Sequence, residues 1–353
     1  MSLTIIEQRR GAAVAGGAAM AATAGLSWGA MFPIAKHGLR HVDAFHMTSI
    51  RYVLASLAFL ALLAAREGRA AVRFDGRALR LLVLGSVGFA GFNLLSYVGL
   101  GMTRPQNASL VVATSPFLTL LIVRLRGGAP VARRKLVLMA AGFVGVAAVI
   151  TRGDVGSVLH GGVGGGEALV LAGAVCWVLY TLGAGEFPGW SPLRYTALSA
   201  ALGSITIVVV TEVATLAGWE PAPSAHDLAA AGPALAYIVV FGAVIAVLSW
   251  NAAVQRIGAP TGALFLNLVP VTAFAIAIAG GYAPNGYELG GAALAIASLV
   301  AVTMLNRAQV SRPALVGDGE SVPEGSRVKR GPSSSPTGSS PRRRREWLWL
   351  YAK

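Results

Sequence analysis

Few side chains in this chain can do chemistry, and most stand alone in apolar surroundings. Four acids could carry a proton: Glu167 and Glu212 near the ends of apolar runs on one side, Glu186 near an end on the opposite side, and Glu288 at the connection that enters the last run. Each is an interfacial charge on the simplest reading and a proton carrier on the functional one. Lys36 and Arg51 bracket the first connection, where they could hold an anion or the neighbouring Asp43; Arg51 reads as a snorkelling side chain, its stem in apolar surroundings and its charge reaching for the interface. The amides Asn93, Asn107, Asn251 and Asn267 sit inside otherwise apolar runs. An amide without a partner costs on the order of 2 to 7 kcal/mol in hydrocarbon, so each must find a second helix, a water or a solute.

Enzyme chemistry finds little support. The histidines are His37, His41, His46, His160 and His226, all at run edges or in connections, and His37 and His41 with Asp43 or His46 give the one spacing that could grip a metal. There is no phosphate loop of the G-x-x-x-x-G-K type, and no Ser-His-Asp set is readable at one depth. Cys176 is the single cysteine, which excludes an intramolecular disulfide and a thiol metal cluster. The expectation is therefore no catalytic residue, no metal and no cofactor, with a membrane-embedded enzyme acting on a lipid-like substrate as the alternative.

Composition identifies the solvent. Hydrophobic residues make up 55% of the chain and charged ones 12%, and the mean hydropathy is +0.65, outside the range of soluble domains. About twenty apolar residues cross about 30 Å of hydrocarbon. Ten such runs are expected, over residues 13–36, 44–65, 79–101, 106–124, 132–151, 167–186, 195–217, 231–254, 260–281 and 287–306. They are continuous rather than alternating, so the fold class is an all-α integral membrane protein. The run after Arg9 and Arg10 is longer than a signal-peptide core and is read as a retained helix.

Charge placement sets the orientation. Arg9 and Arg10, the arginines from Arg66 to Arg80, the basic group Arg124 to Lys135, Arg194 and Arg256 fall on one side, against Lys36, Arg40, Arg104 and Arg152 on the other. By the positive-inside rule both termini are cytoplasmic, in the inner or plasma membrane of the cell. The formal net charge of +14 then belongs to topology and lipid contact, not to nucleic acid.

The chain repeats itself. Trp28 aligns with Trp177, Met31 with Tyr180, Ser96-Tyr97 with Ser249-Trp250, and Pro116 with Pro270. Both prolines interrupt an apolar run, each pushing against the carbonyl four residues back, at Val112 and Leu266, so matching bends are expected. Five spans is an odd number, which forces the second copy to enter the bilayer inverted. The organisation expected is a cytoplasmic N-terminus (1–12), a first five-helix repeat (13–152), a Gly-rich outer linker (153–166), a second repeat (167–307) and a disordered basic cytoplasmic tail (308–353).

Trp28-Gly29, Phe32 and Lys36 followed by Arg51-Tyr52 resemble the opening of an EamA-type domain, and Gly166-Glu167 followed by Trp177 to Tyr180 resembles the opening of a second. The proline runs complete the pattern over about residues 17–306, although Gly185 stands where a second Lys36 would be. The resemblance, to the drug/metabolite transporter superfamily, implies two inverted repeats that move a small metabolite by alternating access. It also implies a cavity lined by the first, third, fourth, sixth, eighth and ninth helices. The residues placed there are Trp28, Phe32, Lys36, Tyr97, Asn107, Thr114, Pro116, Trp177, Tyr180, Trp250, Asn267 and Pro270, with Glu167 as the proton-coupling residue. Such an aromatic cavity suits an amphipathic or cationic solute. Partners expected are that small-molecule substrate, membrane lipids and a second copy of the chain, the small residues Ala141, Gly145, Ala293, Ala297 and Ala301 allowing close helix contact within or between copies.

Overall fold

A computed structural model describes residues 2–128, 130–154, 156, 164–257 and 262–310; the basic tail from 311 onward, His160 and most of the Gly-rich linker lie outside the described residues. Every regular element among them is helical. In chain order these are α1 (Ser2–Gly38), α2 (Ala44–Glu67), α3 (Ala78–Met102), α4 (Pro105–Leu125), α5 (Arg133–Thr151), α6 (Gly165–Gly183), α7 (Pro192–Leu216), α8 (Ala225–Ile257), α9 (Ala263–Ala279) and α10 (Gly286–Val310). Eight helices, α1 to α8, are long and apolar enough to cross a membrane, and the apolar parts of α9 and α10 are shorter.

Local chemistry explains the helix starts. Asp43 caps α2 by accepting from the backbone N–H of Phe45 at 2.8 Å and His46 at 3.0 Å, and Ser191 and Ser224 do the same for α7 and α8. The proline bends are present and differ in form. In α4, Thr114 separates Pro105–Ala113 from Ser115–Leu125. The Val112 carbonyl that Pro116 frees receives the Ser115 hydroxyl at 2.5 Å, and Thr114 donates to Val111 at 2.6 Å. In α9 a tighter 3-10 stretch, Ala263–Asn267, precedes the α-helix that carries Pro270.

Two further irregularities are wider π turns, Ser86–Gly91 within α3 and Val240–Ile245 within α8. Pro116 and Pro270 are 154 residues apart in the chain, and so are the starts of these turns. Each turn seats on the other half of the chain. Gly88 lies against the Tyr180 ring and Gly91 against Cys176, while Gly242 lies against Met31.

Packing pairs α1 with α8, α3 with α6, α2 with α7, and α5 with α10. All four pairs run antiparallel: for example Ser49 meets Thr211 while Ser56 meets Ser204, and Gly99 meets Gly166 while Gly88 meets Tyr180. By contrast α1 runs parallel to α9, Gly25 lying on Phe265 and Leu268, and Gly29 on Val269 and Thr272. The α5–α10 contact is made by Gly145 with Gly291 and Ala295, and by Gly142 near Ser298. Ala293 and Ala297 face outward instead. The stripe spaced by four in the sequence is thus two positions along the helix from Gly291 and Ala295, which make the contact.

Candidate functional site

A cavity of about 780 Å³ opens where the C-terminal ends of α1 and α3 meet the N-terminal ends of α4 and α6. Lys36, Asn107 and Glu167 line it, with Pro33, Arg40 and Thr103. Lys36 donates to two carbonyls in the last turn of α3, Leu100 and Gly101, at 2.6 Å each, where a cation complements the helix dipole. Glu167 is buried. It accepts from Asn107 Nδ2 at 3.0 Å and from the Thr103 hydroxyl through one oxygen, and from the Gly164 N–H at 3.2 Å through the other. The last of these bonds caps α6. Thr103 is not among the expected residues, because a hydroxyl between two runs carries no signal of where it points.

Lys36 and Glu167 do not form an ion pair with each other. Asn107 Oδ1, on a residue 3% exposed, has no hydrogen-bond partner. The cavity therefore offers a cation and a carboxylate that do not neutralise each other, each held by neutral groups, and an unfilled acceptor within one lining, a set that can hold a polar solute.

The remaining expected residues separate into other groups. Trp28 and Tyr97 lie beside Arg51, Trp28 sharing the Gly242 carbonyl with it, and Trp250 packs on Trp28. Trp28 lies 5.8 Å from Trp250 between ring centroids and donates to the Gly242 carbonyl at 3.1 Å, and Tyr97 receives Arg51 Nη1 at 2.9 Å. Phe32 packs in the same core. Trp177 and Tyr180 belong to an aromatic cluster with Phe89 and Tyr195. The Tyr180 hydroxyl is within 3.1 Å of the Ser199 hydroxyl and its carbonyl accepts from Tyr195. Thr114 with Pro116, and Asn267 with Pro270, form the helix breaks.

Arg51 corrects the snorkelling expectation. It is 3% exposed, and its guanidinium turns inward to Asn93 Oδ1 at 3.0 Å, Tyr97 and the Gly242 carbonyl at 3.3 Å. It lies beside Asn93 and Tyr97 of α3 and the π turn of α8, so acceptors within the bundle are nearer than the interface. The α2 sequence alone gives no facing for it.

Charge elsewhere sits at the two ends. Beside the cavity, fully buried Glu288 receives Arg104 at 3.1 Å, Arg152 at 3.2 Å, the Asn285 N–H at 2.9 Å and the Tyr282 hydroxyl. Burial and that bond to Glu288 push the Tyr282 phenol above its usual range. At the opposite end, Arg80 grips Glu186 through Nε and Nη2 at 2.6 and 2.5 Å, Arg194 meets Asp75 at 2.7 Å, and Ser191 donates to Glu67 at 2.6 Å. Among the described residues no three His, Cys, Asp or Glu side chains come together as a metal site; His46 pairs with Asp43 at 2.6 Å instead.

Comparison with known proteins gives the family. The pattern of the EamA-like transporter family matches residues 15–151 and again 164–304. Among curated relatives, the uncharacterized transporter YrdR of Bacillus subtilis is 31% identical over 80% of this chain and 90% of its own length. The uncharacterized transporter YyaM of the same organism is 30% identical over 76% and 87%, and an uncharacterized transporter of Archaeoglobus fulgidus is 26% identical over 70% and 82%. A crystal structure of a protein, 21% identical, superposes with a TM-score of 0.57 over 82% of this chain and 98% of that one, a likeness of fold alone. With the family pattern found twice in one helical membrane chain, the conclusion is direct: this protein belongs to the EamA-like transporter family.

Proposed function

We propose that this chain is a secondary transporter that exports a small metabolite, amino-acid-like or amphipathic, by alternating access with proton antiport or exchange. Ten spans form two inverted five-helix repeats, with both termini in the cytoplasm and the protein in the inner or plasma membrane. The observation that carries this reading is the cavity in which Lys36 and Glu167 face one solute space without pairing, beside the unfilled acceptor of Asn107. The repeat reading is supported by the exchange of contacts: Gly88 on Tyr180 answers Gly242 on Met31, and each helix pair maps onto itself or another when the halves are swapped.

The cavity is open at the end carrying Lys36, Arg104 and Gly164. The far ends of α2, α3, α6 and α7 are tied by Arg80–Glu186 and Arg194–Asp75. This is the outward-facing member of an alternating pair, and export requires the tied end to open. A protonated Glu167 gives up its charge, weakens its hold on Thr103 and Asn107, and releases the start of α4 from α6. Counterflow of a labelled solute in proteoliposomes tests the transport reading; chemical change of a labelled lipid without counterflow would replace it with the membrane-enzyme reading.

A further inference from the structure

The guanidinium of Arg51 is a permanent charge held away from water by neutral groups alone. Its partners are an amide oxygen, a phenol and a backbone carbonyl, and it takes part in none of the ion pairs among the described residues. The distribution of those partners is uneven. Nη1 is filled twice, by Asn93 and Tyr97, whereas the edge formed by Nε and Nη2 has only the long 3.3 Å contact to Gly242, and Nε has no partner at all. The Nε and Nη2 edge is the one on which a carboxylate lies side-on with two parallel hydrogen bonds. Its occupant here, the Gly242 carbonyl, sits on a π turn, where the helical ladder is already interrupted and the backbone can shift by a fraction of a turn.

Arg51 lies outside the cavity lining but holds the same helix as Lys36, further from the cavity end. Lys36 grips the Leu100 and Gly101 carbonyls at the end of α3, and Arg51 grips Asn93 and Tyr97 on the same helix. At the helical rise, those holds are about 4 to 12 Å apart along α3, a reach that small organic acids span. The two cations thus stand at successive levels along α3, Lys36 in the cavity lining and Arg51 beyond it.

We propose that Arg51 is the recognition point for a carboxylate on the transported solute, taken up on its Nε and Nη2 edge as the Gly242 carbonyl moves aside. This rests on the transporter reading and narrows it: the cargo carries a carboxylate. A buried cation without a counter-charge is costly, and an arriving anion lowers that cost only while it is bound, which ties occupancy to the position of α8.

The test measures thermal stabilisation of detergent-solubilised protein by paired probes: benzoate against benzamide, lactate against lactamide, and leucine against leucinamide. At least one carboxylate should stabilise the wild type where its amide does not. Arg51→Lys should bind that carboxylate about 10-fold more weakly, since an ammonium cannot make the paired contact, and Arg51→Gln should not bind it. Asn93→Asp provides a variant that keeps the fold: an internal carboxylate beside Arg51 should raise the melting temperature and abolish the carboxylate-dependent shift. An Arg51 that serves only to hold the helices together would give a more stable Asn93→Asp protein with unchanged carboxylate binding, and that result overturns the proposal. So does a wild type that none of the carboxylates stabilises, or that each amide stabilises equally. Counterflow of the same probes separates the two levels: binding without flux removes the transporter reading, and flux of amides with no flux of carboxylates removes the Arg51 site alone.

Discussion

Replacing Glu167 with Gln asks whether this carboxylate carries the coupling proton. In the structure it accepts three hydrogen bonds, two on one oxygen and one on the other. A glutamine can keep the Thr103 and Asn107 pair on its carbonyl oxygen, but its NH2 then faces the Gly164 N–H, so one charge-assisted bond is lost and a donor meets a donor. The expected cost to stability is about 1 to 3 kcal/mol, the range for such a bond with one partner left unsatisfied. The functional effect should be larger and selective, because an amide cannot exchange a proton at any working pH. In proteoliposomes, solute movement driven by a pH difference should fall to background, while exchange of labelled for unlabelled solute at equal pH stays within about twofold of wild type. Glu167→Gln protein that responds normally to the pH difference, or that loses both activities together while remaining folded, refutes the assignment.

Other expectations follow from packing and charge. Glu288→Gln strands two arginines beside a neutral amide and should lower stability by about 2 to 4 kcal/mol, less than a fully buried pair would give because both arginines are about 40% exposed; a double-mutant cycle with Arg152→Gln should show the two losses to be non-additive. A β-carbon on Gly145 would lie 2.5 Å from the Gly291 carbonyl oxygen, so Gly145→Ala should cost about 1 to 3 kcal/mol, whereas Gly290→Ala, with open space around it, should be neutral or mildly stabilising in chemical denaturation. The phenol of Tyr282 is held protonated in the folded protein, so its contribution is fully present below the unfolded tyrosine value of about 10 and is lost as pH rises past it; Tyr282→Phe should flatten the alkaline limb of the stability profile. Breaking the tie at the far end with Arg80→Glu should increase thiol labelling of residues between α3 and α6, and adding Glu186→Arg should restore protection.

The apolar runs were legible because hydrocarbon imposes length and continuity on any span, and the proline breaks because proline cannot make the bond it interrupts. Lys36, Asn107 and Glu167 were also within reach, since polar groups in apolar runs are costly wherever they point. Facing was not legible. Arg51 read as a side chain escaping to the interface because nothing in α2 announces that Asn93, Tyr97 and the Gly242 carbonyl wait on other helices. Trp177 and Tyr180 share a face of α6 as their spacing implies, but the aromatic residues that cover them come from α3 and α7. The π turns leave only a faint trace, glycines within apolar runs at Gly88, Gly91 and Gly242, and the small residues Ala293 and Ala297 of α10 stand two positions from Gly291 and Ala295, which meet Gly145.

The most direct measurement uses the single native cysteine to advantage. A variant carrying Cys176→Ser and Met102→Cys has its one thiol in the cavity lining, at an exposed position given no part in binding; proteoliposomes of this variant are loaded with the solute that stabilises the protein and treated from outside with a membrane-impermeant thiol reagent. Solute exchange should proceed before treatment and stop after it, and saturating solute should slow the labelling. Exchange that continues undiminished once the introduced thiol is fully modified contradicts a transport path through the Lys36, Asn107 and Glu167 cavity.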